Sequence, residues 1–363
     1  MLHAIAFTST MLISFLLTAL ARKISFKYGI VTKPRKRDIH KEPIPRLGGI
    51  AIALSFTLVA LVTFLSLKSL SFSQGVWFGF DKHFVGIVIG GLIISLTMLL
   101  DDLFGLRAWQ KLLFQIFAVI FVIGAGIGIN SLPNPFGEAI NLNSLYIPIL
   151  TYHGVTYHFS LWSDLLTLVW MVGMMNVMNF VDGVDGLAAG LSTIAAFTIF
   201  ILALTMGQSA LALTSIILAG ATIGFLFWNF PPAKIFMGDA GSMFLGFMLG
   251  VLPLISGGKL ATAFLVLGFP IVDGLIVAGA RIYRKQNPLT TPDKTHLHHR
   301  FIDAGFSQRK AILIIYIIAI AFAWVALRST TAEKLLAAVA LILLLVTLIF
   351  YLRSRAGKMG VAR

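Results

Sequence analysis

The residues best able to do chemistry in this chain are five aspartates at the ends of apolar stretches: Asp101 and Asp102 in LLDDLFG, Asp182 and Asp185 in NFVDGVDGLAAG, and Asp239 in KIFMGDAGS. Each group directly follows or precedes a run long enough to span a bilayer. A carboxylate beside hydrocarbon is costly, so each needs a partner or a task. Carboxylates gathered on one side of a membrane are suited to a divalent metal and a phosphorylated ligand.

The composition indicates a membrane protein. Of the 363 residues, 58% are hydrophobic and only 12% are charged, and the mean hydropathy is +0.94. A soluble domain carries about 25% charged residues. The chain has no Cys, which excludes disulfides, thiolate metal sites and cysteine nucleophiles.

The hydropathy pattern predicts an all-α polytopic fold with about 11 transmembrane helices, forming one integral membrane domain over 1–363. The predicted spans are approximately 2–21, 48–67, 83–100, 111–130, 162–180, 187–206, 210–228, 241–256, 260–282, 311–327 and 334–352.

The basic residues predict the orientation of these spans. Of the 28 Lys and Arg residues, 23 fall on one side of the predicted bundle and 5 on the other. The richer side is expected to be cytoplasmic, with the N-terminus outside and the C-terminus inside. The first span has no basic residue ahead of it and no A-x-A site, so we do not expect a cleavable signal peptide. The net charge of +14 is attributed to topology and to anionic lipids, so nucleic acid is not an expected partner.

Five cytoplasmic segments are predicted to build an active site: about 22–47, 101–111, 181–186, 229–241 and 281–310. The main outward loop, about 131–161, contains the alternating stretch TYHGVTYHF, which predicts a hairpin around His153-Gly154. The outward loops hold no acidic cluster. Chemistry is therefore expected on the cytoplasmic side.

Asp101 and Asp102 are adjacent, and on a helix end their side chains point about 100° apart. One is a candidate metal ligand and the other a candidate base. The alternative is a pair that only terminates a span at the water interface. Lys111, in the next segment, is placed to neutralise a phosphate or to pair with an aspartate.

Asn176, Asn179, Asp182 and Asp185 recur at every third residue, which at helical spacing lays polar groups along one face. Their oxygens are hard ligands suited to Mg²⁺. The alternative is hydrogen bonding between helices of a bundle.

Asn229 and the stretch PPAKIFMGDAGS follow the seventh predicted span. Gly238 and Gly241 flank Asp239, so that the backbone can approach a phosphate closely. The alternative is that Asp239 simply begins a helix. Phe236 is a stacking surface for a base or, equally, an interfacial anchor.

His296, His298 and His299 lie in THLHHR, with a spacing that matches no zinc motif. We expect them to donate hydrogen bonds to a pyrophosphate or to shape the site, and the alternative is a solvated histidine cluster. Asp273, inside the ninth predicted span, is expected to face the protein interior or a cavity.

These motifs together resemble the polyprenyl-phosphate N-acetylhexosamine-1-phosphate transferases, which include the enzymes that start enterobacterial common antigen, O-antigen and wall teichoic acid. The phospho-N-acetylmuramoyl-pentapeptide transferases are a sister branch. The resemblance is carried, in chain order, by PIPRLGG, LLDD, RAWQKLLFQ, NVMNFVDGVDGL, FLFWNFPPAKIFMGDAGS and PDKTHLHHR. Leu297 interrupts the three consecutive histidines usual in the muramoyl branch, which favours the undecaprenyl-phosphate N-acetylglucosaminyl-1-phosphate transferase branch.

The resemblance implies that a lipid phosphate attacks the β-phosphorus of UDP-N-acetylglucosamine and that UMP leaves. It implies Mg²⁺ as cofactor, with Mn²⁺ as a second candidate, held by Asp239 and Asp182. Asp101 or Asp102 is then the base or activator of the lipid phosphate, and Asp239 belongs to the catalytic group. The residues implied to hold nucleotide, phosphates and sugar are Lys111, Asn179, Asp182, Asp185, Asn229, Phe236, Arg281, His296, His298 and His299.

The resemblance also implies a bacterial inner membrane location with a cytoplasmic active site, undecaprenyl phosphate as the lipid substrate, and compatibility with a homodimer. Alternatives are another UDP-N-acetylhexosamine, UDP-N-acetylmuramoyl-pentapeptide, or more remotely an ion-coupled transporter. A transporter should place its acids near the bilayer midplane, whereas here all the singled-out aspartates but Asp273 lie at cytoplasmic span ends. A further alternative is a scaffold whose aspartates only cap helices.

Overall fold

The computed structural model describes residues 1–32, 42–67, 70–73, 75–134, 137–152, 155–257, 260–285 and 297–358, without the side chains of 149–152, 155–157, 298 and 358. In these ranges the chain is a bundle of α-helices with a few short antiparallel strand pairs in its loops. The predicted all-helical, polytopic architecture is therefore confirmed.

The helices follow the predicted apolar runs closely. They are α1 (Leu2–Lys27), α2 (Gly48–Ser66), α3 (Lys82–Phe104), α4 (Ala108–Gly124), α5 (Leu161–Val181), α6 (Leu187–Thr205), α7 (Ser209–Asn229), α8 (Asp239–Ile255), α9 (Leu260–Val266), α10 (Gly268–Tyr283), α11 (Leu297–Asp303), α12 (Gln308–Arg328) and α13 (Thr331–Lys358).

The strands pair only with their neighbours in sequence. They are β1 (Val31–Thr32) with β2 (Ile44–Pro45), β3 (Val76–Trp77) with β4 (Phe80–Asp81), β5 (Ser131–Leu132) with β6 (Ile140–Asn141), and β7 (Tyr146–Tyr152) with β8 (Val155–Ser160). The β7–β8 hairpin confirms the hairpin predicted in the main outward loop, although its tip, His153-Gly154, lies outside the described residues.

Among the described residues, 8 helices are long and apolar enough to cross a membrane, and α9 with α10 makes a ninth if the pair is one span. The helices α4 and α8 are apolar but have only 17 residues each. Seventeen residues lie at the short end of the range for a span. Whether these two cross fully decides between nine and eleven spans, so the count of eleven stays a prediction.

Two predicted spans are interrupted or end early in the structure. The ninth, 260–282, is broken between α9 and α10, which meet at an angle of 81°. The break falls just before Gly268, and Pro270 lies in the first turn of α10, where proline is tolerated because that N–H has no intrahelical acceptor. The fourth, 111–130, ends early at Gly124, because Gly126 turns the chain with a φ of +85°.

The centre of the bundle is formed by α7 and α8. The most apolar stretch of α7 is 83% buried, and α7 packs against α1, α2 and α6. The helix α8 is buried along nearly its whole length against α2, α3 and α5. At the periphery, the corresponding stretches of α1 and α13 are only 28% and 17% buried. The exposed leucine-rich faces of these helices suit contact with lipid.

The beginning of α8 lies where several helix ends meet. The amides of Gly48 and Gly49, at the start of α2, donate to the carbonyl oxygens of Phe236 and Met237 at 3.0 Å and 2.7 Å. A Cβ on Gly49 would lie 2.2 Å from the nitrogen of Gly241, so the two backbones are in direct contact. This close approach brings the loop before α2 to the aspartate that begins α8.

Candidate active site

The side chain of Asp102 fixes the N-terminus of α8. Its Oδ1 accepts a hydrogen bond from the amide of Asp239, and its Oδ2 accepts one from the amide of Ala240, both at 3.0 Å. The turn before them needs a glycine, because Gly238 has a φ of +74°. A carboxylate at this position satisfies free N–H groups and interacts favourably with the helix dipole. Asp102 is thus bonded to the backbone of a helix that begins 137 residues later.

Two cations lie between the aspartates. The Nζ of Lys111 is 2.5 Å from Oδ2 of Asp101 and 2.7 Å from Oδ2 of Asp239. The Nε of Arg46 is 3.0 Å from Oδ1 of Asp102, and its Nη2 is 3.7 Å from Oδ1 of Asp239. Asp239 therefore contacts both cations. The side chains of Asp101 and Asp102 are only 4% and 0% exposed, whereas Lys111 and Arg46 are 25% and 41% exposed, so the carboxylates are shielded from water and the cations face it in part.

A cavity of ≈ 530 Å³ opens beside this network. Its walls include Arg46, Asp182, Asp185, Phe236 and Asp239. Burial raises the pKa of Asp182 well above its ordinary value, and the negative charges of Asp239, Asp102 and Asp185 raise that pKa further. The ionised form of Asp182 is thus disfavoured until a positive charge arrives.

The predicted polar helix face is shorter than expected. The helix α5 ends at Val181, and Asp182 and Asp185 lie in the turn 182–186 that joins it to α6. The helix resumes after Gly186, whose φ is +76°. Helical spacing therefore holds only for Asn176 and Asn179, and the expectation of one continuous face through Asp185 was wrong.

Asn176 and Asn179 tie α5 to its neighbours. The amide of Asn176 donates to Oε1 of Gln115 on α4 at 3.1 Å, and that of Asn179 donates to Oγ of Ser242 on α8 at 3.0 Å. This is the interhelical bonding that was the alternative interpretation for these residues. Asn179 also lines the cavity, so its predicted contact with the nucleotide stays a prediction.

Asn229 and Asp185 hold the turn 182–186 against the loop before α8. Oδ1 of Asn229 accepts from the amide of Gly186 at 2.8 Å, and its Nδ2 donates to the carbonyl of Ile235 at 2.9 Å. Oδ2 of Asp185 accepts from the amide of Ala233 at 3.0 Å. Both residues also line the cavity. Their structural bonds are observed, and the predicted contacts with substrate stay predictions.

The other predicted residues are placed as follows. Phe236 and His299 line the cavity. Arg281 is buried on α10, with its guanidinium 5.6 Å from the ring centre of Phe180, which is itself a cavity residue. His296 and the side chain of His298 lie outside the described residues.

The structure confirms that Asp273 faces the protein interior. The residue is only 3% exposed, and its Oδ1 accepts from the amide of Leu297 at 2.8 Å. This bond fixes the start of α11, the short helix that carries His299. Asp273 therefore positions the histidine segment from inside the bundle.

Arg46 is the main site residue that the sequence analysis missed. It lies in PIPRLGG, among the motifs that carry the resemblance, but a single arginine in a basic loop gives no signal by itself. The signal that could have found it is the pair Gly48-Gly49, because adjacent glycines at a helix start mark a close approach of two backbones. That approach sets Arg46 beside Asp239.

The donors present suit Mg²⁺ better than a metal that needs a cage of protein ligands. Among the described residues, no three or more His, Asp or Glu side chains are arranged to hold a metal by themselves. Mg²⁺ is usually bound through one or two carboxylates together with waters and substrate phosphates. Asp182 and Asp239 line the same cavity, and the repulsion between them is the kind that a divalent cation relieves. The chemistry of this donor set therefore fits Mg²⁺.

Comparison with known proteins places these features in a family. Residues 84–257 match the family described as glycosyl transferase family 4. The matched region contains the aspartates of α3, the turn 182–186 and the start of α8, but neither Arg46 nor the histidine segment.

Whole-length relatives extend the match over these parts. A Bacillus subtilis protein named "Probable undecaprenyl-phosphate N-acetylglucosaminyl 1-phosphate transferase" is 33% identical over 325 residues, which is 88% of this chain and 82% of the relative. A decaprenyl-phosphate N-acetylglucosaminephosphotransferase of Mycolicibacterium smegmatis is 34% identical, over 84% of this chain and 77% of the relative. An undecaprenyl-phosphate alpha-N-acetylglucosaminyl 1-phosphate transferase of Salmonella typhi is 27% identical, over 92% and 85%.

Proposed function

Since this chain belongs to glycosyl transferase family 4, in the branch of the undecaprenyl-phosphate N-acetylglucosaminyl 1-phosphate transferases, we propose that it transfers N-acetylglucosamine 1-phosphate from UDP-N-acetylglucosamine to undecaprenyl phosphate. An oxygen of the lipid phosphate forms a bond to the β-phosphorus of the nucleotide sugar. The bond between that phosphorus and the bridging oxygen breaks, and UMP leaves with the bridging oxygen. The product is a lipid-linked diphosphate sugar that starts a cell-envelope polysaccharide.

The observation that carries this proposal is the set of contacts around Asp239. Its carboxylate contacts Lys111 and Arg46, lines the cavity, and begins a buried helix. Arg46 and several carboxylates line the cavity, and Lys111 contacts the same Asp239 from outside the cavity wall. Such a site suits a diphosphate that arrives with a divalent metal, because cations bind phosphate oxygens and carboxylates bind the metal. A scaffold whose aspartates only capped helices would not need the two cations.

We propose that Asp182 and Asp239 hold Mg²⁺. When bound, the ion would neutralise charge on the diphosphate during transfer. Mn²⁺, which also prefers oxygen ligands, is a second candidate. The raised pKa of Asp182 supports this assignment, because a carboxylate that is hard to ionise alone gains most from an added cation.

Lys111 and Arg46 are proposed to donate to phosphate oxygens in the ground state and in the transition state. Asp101 is the candidate that activates or positions the lipid phosphate, because it lies 2.5 Å from the Nζ of Lys111. Both oxygens of Asp102 accept from the backbone of α8, and Oδ1 also contacts Arg46, so we assign this residue to positioning. Oδ1 of Asp101 is likewise held, by the amide of Leu106 at 2.6 Å, so only its Oδ2, beside Lys111, is proposed to meet the lipid phosphate. Phosphoryl transfer depends chiefly on positioning and electrostatic stabilisation, which is what this network supplies.

The uridine is proposed to lie against Phe236, with Asp185 and Asn179 close to the nucleotide. His299 also lines the cavity, and it is proposed to contact the phosphates or the sugar together with His296 and His298. Arg281 is proposed to act near them from behind Phe180, a cavity residue whose ring centre lies 5.6 Å from its guanidinium.

The orientation proposed for the bundle places the active site on the cytoplasmic side of the bacterial inner membrane. It is supported by the basic residues, of which 23 of 28 fall on the side of the site in an eleven-span arrangement. The N-terminus is then outside. A homodimer is a further prediction, which light scattering of the detergent-solubilised protein would test.

The experiment is incubation of the purified protein with undecaprenyl phosphate, a panel of UDP-sugars and Mg²⁺, scored by UMP release and by lipid-linked product. We expect product with UDP-N-acetylglucosamine, no product after EDTA, and recovery when Mg²⁺ or Mn²⁺ is returned. Product only with another UDP-N-acetylhexosamine or with UDP-N-acetylmuramoyl-pentapeptide would keep the chemistry but change the substrate. Absence of product with every donor would refute the proposed function.

A further inference from the structure

We propose that Tyr316, in the middle of α12, is a positioning residue for the active site, because its hydroxyl holds the turn 182–186 that carries Asp182 and Asp185. The kinetic role of Tyr316 rests on the proposed function. The contact itself does not depend on that function, and one arm of the test below does not require activity.

The hydroxyl of Tyr316 donates to the carbonyl oxygen of Gly186 at 2.5 Å. The same oxygen accepts the first helical hydrogen bond of α6, from the amide of Gly190 at 2.9 Å. On its other side, the amide of Gly186 donates to Oδ1 of Asn229 at 2.8 Å. The peptide groups on both sides of Gly186 are therefore fixed by side chains from α7 and α12, one residue after Asp185.

The chain leaves room for this hydroxyl at Gly190. A Cβ on Gly190 would lie 1.8 Å from the Tyr316 hydroxyl oxygen and 2.0 Å from the ring carbon that bears it. Any side chain at Gly190 would push the ring away from the turn. The absence of a side chain at Gly190 and the hydroxyl of Tyr316 thus serve one contact.

The helix α12 also contacts the loop between α7 and α8. Arg309, at the start of α12, donates from Nε to the carbonyl oxygen of Pro231 at 2.8 Å, in the loop that leads to Asp239. Gln308, the first residue of α12, lines the cavity. From Gln308 to Tyr316 the helix rises about 12 Å. A single rigid helix therefore contacts both loops that carry the proposed metal ligands, and it fixes the position of one relative to the other.

This arrangement has a kinetic consequence that simple packing lacks. If Tyr316 only filled space, phenylalanine would serve equally, because the ring would still fill the gap beside Gly190. If the hydroxyl positions the turn, its loss should loosen Asp182 and weaken the binding of metal and nucleotide. Binding of the lipid phosphate, which we assign to Asp101 and Lys111, should change little.

The first arm of the test is kinetic. Tyr316→Phe is compared with wild type and with Tyr351→Phe, a matched control on the exposed face of α13. We expect Tyr316→Phe to raise the Mg²⁺ concentration for half-maximal rate about 3–10-fold, the effect expected from losing one hydrogen bond, with the KM for undecaprenyl phosphate unchanged. The control should match wild type.

The second arm measures the turn directly and needs no activity. The chain has no native Cys, so Val184→Cys introduces one thiol in the turn, at a position that is 5% exposed. We expect a maleimide to alkylate this thiol about 3–10-fold faster when Tyr316→Phe is added, and at an unchanged rate when Tyr351→Phe is added.

The outcomes separate the two proposals. A wild-type protein that makes no product refutes the proposed function but leaves the thiol comparison valid. Equal alkylation rates with and without Tyr316→Phe, or a kinetic loss that falls equally on Mg²⁺ and lipid, would overturn the positioning role. Should Tyr316→Phe fail to fold, as judged by size-exclusion in detergent, Gly190→Ala replaces it, because it displaces the same ring. The same increase in alkylation is then expected, and an unchanged rate would overturn the role.

Discussion

The two aspartate pairs of the active site divide their work in the same way but differ in how their charge is balanced. In each pair one carboxylate accepts hydrogen bonds from the backbone of the segment 233–240: Asp102 from the amides of Asp239 and Ala240, and Asp185 from the amide of Ala233. The other member, Asp101 or Asp182, is the one proposed to act on ligands, although Oδ1 of Asp101 also accepts from the amide of Leu106 at 2.6 Å. The segment that begins α8 is thus held from both sides by carboxylates.

The difference lies in the cations. At the first pair, Lys111 and Arg46 lie within 3.0 Å of carboxylate oxygens. At the second pair, burial and three neighbouring carboxylates raise the pKa of Asp182, and Arg46 opposes them only weakly. The first pair is therefore in direct contact with two cations of the protein, whereas Asp182 stands to gain most from a cation brought with the substrate. This contrast is the reason for assigning the proposed Mg²⁺ to Asp182 rather than to Asp101.

The largest effect on activity is expected at Asp239, which lies between the two aspartate pairs. Asp239→Asn removes the charge that contacts both cations and the proposed metal, so we expect UMP release to fall about 1,000-fold, at the upper end of the effect of one electrostatic group. The melting temperature in detergent serves as the control and should change little, because the asparagine can still begin α8. A mutant that releases UMP at the wild-type rate would remove Asp239 from the metal site.

The second effect tests Asp182 as a ligand of the proposed Mg²⁺. Asp182→Asn should raise the Mg²⁺ concentration for half-maximal activity about 10–100-fold. Without metal it should not lower the melting temperature, because the raised pKa means that ionised Asp182 destabilises the folded state.

The pH dependence of the stability of the same variant follows from the upward shift of the Asp182 pKa. A carboxyl whose pKa is raised on folding stabilises the protein at low pH and loses this contribution as the pH rises through the folded pKa. In EDTA, the wild type should therefore lose more stability than Asp182→Asn between acidic and neutral pH. A parallel pH dependence of the two melting temperatures would contradict the assignment.

The third effect distinguishes Asp101 from Asp102 by comparing the stability and the activity of their alanine variants. Asp102→Ala removes the acceptor for two amides and leaves Arg46 without its closest carboxylate, so we expect a free energy of unfolding lower by about 2–3 kcal/mol. Asp101→Ala should cost less stability and more activity. Equal losses of stability and activity in the two variants, measured by thermal melting and UMP release, would show that the pair does not divide its work.

The smallest effect concerns a third region, the histidine segment. We expect His298→Ala, and separately His299→Ala, to raise the KM for UDP-N-acetylglucosamine about tenfold, the effect of one hydrogen bond to a charged group, without altering topology. Unchanged kinetics in both variants would limit the site to the aspartates and their cations.

Much of this architecture follows from local sequence. Apolar runs and the positions of Lys and Arg predict where helices begin and end, and the aspartates were found because charges at span ends need a reason. The place and the 81° angle of the break between α9 and α10 could not be predicted, because the apolar run continues through Leu267 and Gly268 and the bend depends on packing.

The contacts that complete the site are long-range and were not predictable from spacing. Asp102 bonds a helix 137 residues away, and Tyr316 reaches a carbonyl 130 residues before it. Tyr316 does not stand out by type or position in the sequence, and Arg46 is marked only indirectly, by the two glycines at the start of α2. Only the folded chain shows which backbone groups they meet.

The contact between Gly49 and Gly241 has a consequence for how this enzyme can change. A single added methyl on Gly49 would overlap the opposite main chain, at 2.2 Å from the Gly241 nitrogen. It would wedge α2 and α8 apart and carry Arg46 away from Asp239. Mutation toward a new donor sugar must therefore proceed through the side chains of the cavity wall, because the contact between these two glycine backbones leaves no space for a side chain.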